Sequence, residues 1–188
     1  TDFNEFNLSV LALNNGMPYL VDTEEKVDYS QTIGTRLVYK KNKLNVDGAA
    51  YLQTGKIATN SVSAHYFSAN VNYKINTNFN TGLGFEVLSG KDQNDTSTDV
   101  KSFNPLYGTN HKFNGYMDYF YVGNHSNSVG LNDIYVNLGY EKNKFFAKVT
   151  PHYFASAASI YNAGEKQDNY LGTEVDVTCG YKMYDYVT

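Results

Sequence analysis

Three sets of residues in this chain have the types and spacing to do chemistry. His111, Lys112 and Asp118 bring a base, a cation and a carboxylate into one short stretch. Triad-type nucleophilic catalysis also needs a nucleophile held by that base, and no Ser–His–Asp spacing stands out, so polar loop residues are expected and not an enzyme. The acids of DQNDTSTD (92–99) could collect a Ca²⁺. That segment lacks the mid-loop Gly and closing Glu of a helix-loop-helix calcium site, and a solvated loop tip is expected. His65 and His152 have no neighbouring Cys or carboxylate pattern, so neither a metal nor any other cofactor is expected. The third set is Arg36, Asp47, Lys74, Glu86, Lys148, Glu174 and Asp176. These charges recur in alternation with apolar residues, and charges that line an aqueous space select among solutes.

Alternation identifies the elements that carry them. In GLNDIYVNLGYEKNKFFAKVTPHYFA (130–155), Ile134, Val136, Leu138 and Tyr140 share one parity, as do Phe145, Ala147, Val149, Pro151 and Tyr153. Period two over each arm means a strand, because successive side chains point to opposite faces. Eight strands follow on this basis, at 4–14, 29–41, 43–55, 63–76, 79–91, 130–142, 144–156 and 169–183. No window shows sustained helical spacing. Pro151 cannot donate to a ladder, so a bulge or irregular pairing is expected there.

Connections alternate in length. KKNK, INTNFN and EKNK are tight turns, whereas 14–28, 56–62, 92–129 and 157–168 are longer. Transmembrane barrels have short turns on one side and long loops on the other. One parity is apolar apart from Gln31 and Thr35: Phe6, Leu8 and Val10, then Ile33 and Leu37, and finally Leu171, Val175 and Val177. It includes Phe6, Tyr39, Tyr73, Phe79, Tyr140, Phe145 and Tyr181 near the short turns, an aromatic girdle. The opposite parity holds the seven charges together with Gly34, Gly82, Gly84, Gly139, Gly172 and Gly180. The expected fold is therefore all-β: an antiparallel up-and-down transmembrane β-barrel forming one domain over 1–188. A soluble β-sandwich or lipocalin-like barrel alternates in the same way and stays open as a reading.

Totals narrow the function classes. A net charge of −4 without a Lys/Arg block argues against nucleic acid as a partner. No apolar run is long enough for a transmembrane helix, and the single Cys179 excludes an internal disulfide framework. Thr1 opens without a charged and then apolar leader, so no signal peptide is expected in the chain. MYDYVT reads as a turn followed by the start of another strand, which suggests a fragment of something longer.

SFNPLYGTNHKFNGYMDYF (102–120), followed by GLNDIYVNLGYEKNKFFAKV, resembles the alginate-export family of Gram-negative outer-membrane β-barrels. The resemblance is strongest over 80–183. It implies a larger barrel of which this chain supplies some strands. It also implies passive passage of a small solute or polysaccharide, outer-membrane lipid as surroundings, and a channel or porin-like function. It does not imply alginate itself. A polyuronate path should be lined by Arg and Lys; here acids stand nearest mid-strand. If only eight strands close, a structural or adhesive barrel acting through its loops is the alternative, because so narrow an interior is filled by side chains.

The connection 92–129 is the longest. Its second half is too apolar to stay solvated, and a loop of this length is usually functional. Residues 103–121 are therefore expected to fold over the interior as a constriction, with Tyr107, His111, Lys112 and Asp118 near the solute path. Tyr66, Tyr135, Phe154 and Tyr170 would be its inward-facing support. The other reading is a protruding hairpin, since MDYFYVG could pair as strand.

Overall fold

The computed structural model describes residues 2–3, 5–106, 114–120 and 127–183. Among the described residues there is no helix. Eight long strands build one sheet: β2 (Phe6–Val21), β3 (Glu24–Lys41), β4 (Leu44–Ile57), β6 (Ala64–Lys74), β7 (Phe79–Leu88), β8 (Leu131–Lys142), β9 (Phe145–Ala155) and β12 (Tyr170–Tyr181). Two short strands complete it: β1 (Asp2–Phe3) pairs with β2, and β5 (Asn60–Ser61) pairs with β4. A separate two-stranded ribbon joins β10 (Tyr161–Asn162) to β11 (Glu165–Lys166). Every strand pair is antiparallel, and the long strands follow one another in chain order. One isolated parallel bridge, Val62 to Val100, stands apart from them. Among the described residues no pairing joins β12 to β2, so the sheet is open.

The tight turns follow from residue type. Asp22, Asn42 and Asn143 adopt φ of 57°, 52° and 55°. Asp and Asn tolerate this left-handed region better than most side chains do. Between β6 and β7 the Asn76 carboxamide oxygen accepts from the amides of Asn78 and Phe79, at 2.8 and 3.0 Å. That bond pattern substitutes a side chain for a backbone turn.

Residues 14–28 correct the expected long connection. Pairing of β2 with β3 runs unbroken from Phe6↔Tyr39 to Val21↔Glu24. Asn14, Asn15, Gly16 and Pro18 are poor strand formers, which hides the strand in the sequence. Pro18 is tolerated because β2 lies at the edge, where one side of the strand needs no donor. β4 pairs with β3 only from Ser30 onward. The far half of the β2–β3 hairpin thus extends past β4 as a two-stranded ribbon.

One parity faces outward across the whole sheet. Its residues pair directly across neighbouring strands, as Leu8↔Leu37, Ile33↔Leu52, Val71↔Leu83, Leu83↔Val136 and Val149↔Val177. Val10 is 75% exposed, Val177 64% and Leu83 58%. Two polar residues on this face bond locally: Gln31 donates to Asn14 Oδ1 at 2.7 Å, and the Thr35 hydroxyl donates to Ser9 O at 3.0 Å. Toward the short turns the aromatic residues form a row, with ring centroids 4.6 Å apart for Phe6–Tyr39 and 4.8 Å for Phe79–Tyr140.

The buried apolar cluster is small and lies on the opposite, inner face: Ala64, Leu88, Phe103, Leu131 and Phe154. Burying a Phe is worth about 1.5–3 kcal/mol, and Phe103 supplies it from the long connection, which packs against the inner face. At Pro151 there is no bulge. The β9–β12 register passes through it, but pairing is irregular as expected, because the β8–β9 ladder omits Pro151 and Thr150 and resumes at Leu138↔Val149 without a shift.

A bulge does occur at Tyr170–Gly172 in β12, where Gly172 has φ of 152°. An extra residue reverses the parity of everything beyond it. Tyr170, expected inward, is half exposed and its ring packs on the outward Tyr153 at 5.3 Å. Leu171, expected outward, packs against the inner apolar cluster.

Candidate functional site

Two regions of the inner face carry polar groups that could act together. The first is a carboxylate cluster on β7, β8 and β12. Cross-strand pairing brings Glu86 beside Asp133, Asp133 near His152, and His152 beside Glu174. His152 Nδ1 lies 2.9 Å from Asp133 Oδ1, and its Nε2 lies 3.5 Å from Asp176 Oδ2. Asp133 is fully buried, and Glu174, Asp176 and His152 are each 7% exposed. Buried carboxylates need hydrogen-bond donors.

The long connection supplies them. Asn114 Nδ2 donates to Asp133 Oδ2 at 3.2 Å and to Glu86 Oε2 at 3.4 Å. The Met117 amide donates to Glu174 Oε1 at 2.8 Å, and the Tyr116 amide to Asp176 Oδ1 at 3.3 Å. Gly115 sits so close to Glu174 that a Cβ there would run into the carboxylate, and its φ is +82°. Only glycine meets both conditions without cost. A second anchor is Gln53, which donates to Asn104 O at 2.7 Å and accepts from the Asn104 amide at 2.9 Å. Phe120 adds a ring contact with Phe154 at 4.7 Å.

The second region is an open hollow of about 550 Å³ between the connection and β3–β8. Arg36 and Asp47 form its charged rim, with Nη2 to Oδ2 at 2.6 Å. Tyr51, Tyr66, Asn70 and Tyr135 line the wall. Tyr51 faces Gly34 across the ladder and Tyr135 faces Gly84. A Cβ added at either glycine would run into the paired ring, so each ring lies across bare backbone. Small residues beneath aromatic partners are a known way to curve a sheet.

The seven charges of the sequence reading thus fall in three places. Arg36 pairs with Asp47 at the hollow. Glu86, Glu174 and Asp176 lie beneath the connection. Lys74 and Lys148 are exposed toward the short-turn end, Lys148 between Gly139 and Thr178. Asp118 is half-buried, with φ of 55°, in the described part of the connection. Tyr107, His111 and Lys112 lie outside the described residues.

His152 corrects one expectation. Far from lacking carboxylate neighbours, it has Asp133 and Asp176 on adjacent strands. The sequence reading missed Asp133 as a site residue. Its inward parity was the available signal, but its partners come from β9 and the connection. Among the described residues no group of His, Cys, Asp and Glu has metal-holding geometry. In the connection itself, the DQNDTSTD carboxylate Asp95 bonds Lys101 Nζ at 2.7 Å. That bond, with the Ser97 amide, holds Asp95 well below the usual carboxylate range.

A family model described as "Alginate export" matches residues 21–187. No curated protein and no solved structure matches the chain.

Proposed function

The chain belongs to the alginate-export family, and from that premise we propose that it forms part of the wall of a larger outer-membrane β-barrel. In this reading the barrel passes a small solute or polysaccharide across the outer membrane of a Gram-negative bacterium. The observation that carries the proposal is the continuous outward apolar face, which ends in an aromatic row at the short-turn side. A soluble protein rarely leaves so large an apolar surface open to water. Lipid accepts it, and interfacial aromatic rings sit where hydrocarbon meets headgroups.

The open edges at β2 and β12 support a wall that continues into further strands. An edge of this length left in water would template pairing with other chains. The open part of the polar inner face, with Arg36, Asp47, Lys74, Glu86 and Lys148, would then line the solute path, whereas the buried Glu174 and Asp176 would hold the connection beside it. The described segments 103–106 and 114–120, with Asp118, would narrow that path, and Tyr107, His111 and Lys112 are proposed for the same constriction from the sequence. No step of this reading requires a catalytic residue.

Refolding into lipid vesicles and recording ion current across a planar bilayer tests the proposal. A channel reading expects insertion that depends on detergent or lipid, and discrete conductance steps. A protein that folds to the same sheet in water without detergent would overturn it in favour of a soluble β-sheet binding module.

A further inference from the structure

The hollow beside Arg36 has a chemistry of its own. Tyr51 and Tyr135 lie across Gly34 and Gly84, so each ring is laid along the wall with one face covered by backbone. Tyr66 stands between them and Phe103, with ring centroids 5.9 Å from Tyr51 and 5.5 Å from Phe103. An aromatic surface of this kind fits the apolar faces of a pyranose ring, whose C–H groups project from the plane while its hydroxyls point outward.

Beside the rings runs a relay of side-chain amides. Asn72 Nδ2 donates to Asn70 Oδ1 at 2.8 Å, and Asn70 Nδ2 donates to the Tyr135 hydroxyl at 3.1 Å. The Tyr135 oxygen accepts there and retains a proton to donate. Asn45 adds a second demand: its Oδ1 is buried at the hollow and has no hydrogen-bond partner. A buried acceptor without a donor is costly, and a ligand hydroxyl would satisfy it.

Charge decides which sugar. Arg36 is the only cationic side chain lining the hollow among the described residues, and it is committed to Asp47 through Nη2 and Nε. Glu86 lies on the same wall, bonded by Asn114. Among the described lining residues a uronate carboxylate would meet no uncommitted cation and one additional acid. We propose that this hollow is a binding subsite for an uncharged hexose unit of a polysaccharide or oligosaccharide. The inference rests on the channel reading and narrows its substrate class.

The test uses maltohexaose as the neutral probe and a guluronate hexamer as the acidic one. Each is titrated against the detergent-solubilised chain by tyrosine fluorescence and, separately, against the bilayer current. Maltohexaose should bind and block more tightly than the acidic hexamer. Replacing Asn45 by Ala and Tyr135 by Leu together should weaken maltohexaose by about tenfold or more, the loss of a hydrogen bond and a ring contact. Phe145→Leu, on the outer face, controls for general destabilisation and should leave binding unchanged. Tighter binding of the acidic hexamer, or an unchanged affinity in the folded double variant, overturns the subsite. Saccharide binding without any current would instead overturn the channel reading and leave the subsite standing.

Discussion

His152 Nδ1 lies 2.9 Å from Asp133 Oδ1, and both side chains are sealed beneath the long connection. Neither residue touches the connection's apolar anchors Phe103 and Phe120 through this contact. The link runs instead from His152 to Asp133, and from Asp133 to Asn114. Wall and connection are therefore held by polar groups in series, each of which loses a partner if Asp133 is removed.

Asp133→Ala should accordingly destabilise the fold by about 1–3 kcal/mol, the cost of leaving buried donors unmatched. Urea titration of vesicle-inserted protein measures it. Asp133→Asn, which retains an acceptor, should cost less. Equal costs would show that the carboxylate's bonds to His152 and Asn114 contribute little.

Gly115→Ala tests how the connection is seated. The new Cβ would meet the Glu174 carboxylate, and φ of +82° is unfavourable for alanine. The expected strain is about 1–3 kcal/mol, enough to lift the segment. Faster hydrogen exchange at the Met117 amide, which bonds Glu174 at 2.8 Å, is the direct readout.

The two faces of β12 should respond oppositely to charge. Val177→Arg places a cation on the outward face and should cost about 2–4 kcal/mol near a bilayer midplane. Thr178→Arg, an exposed inner-face position paired with Lys148, should cost much less. Asp176 is a poor comparison because it is buried beneath the connection. Denaturant titration in vesicles separates the outcomes, and equal penalties would contradict the membrane assignment.

The acid response of the connection follows from Asp95. Its folded value is depressed by Lys101 first and Ser97 second. A depressed acid contributes stability above its unfolded value and loses it as pH falls through the folded value. Its carboxylate should therefore remain ionised well below the ordinary Asp value of about 4. A carboxyl chemical-shift titration by NMR checks this, and Lys101→Met should return the midpoint toward normal.

Replacing 103–121 with a short Gly-Ser linker should raise single-channel conductance clearly. An unchanged value would mean that the segment stands clear of the path, as a protruding hairpin would.

Strand positions and faces were legible because period two persists wherever one face meets a uniform environment. Leu8, Ile33, Val71, Val136 and Val177 all obey it. Legibility failed where local preference and pairing disagree. Asn14 to Pro18 look like a loop, yet they pair because β3 offers a complete partner. It failed again at Gly172, where one extra residue exchanges the faces of Tyr170 and Leu171. The carboxylate cluster was the hardest part to read. Asp133, His152 and Asp176 are far apart in the chain, and only the β8–β9–β12 register brings them together.

The unpaired margins of β2 and β12 also bear on how such a wall is made. Among the described residues the outer edge of β12, and that of β2 beyond its short pairing with β1, has no strand partner for its backbone donors and acceptors. In hydrocarbon an unmet backbone group is costly. In the proposed membrane wall, insertion and further strand addition would then have to proceed together, starting at these two margins.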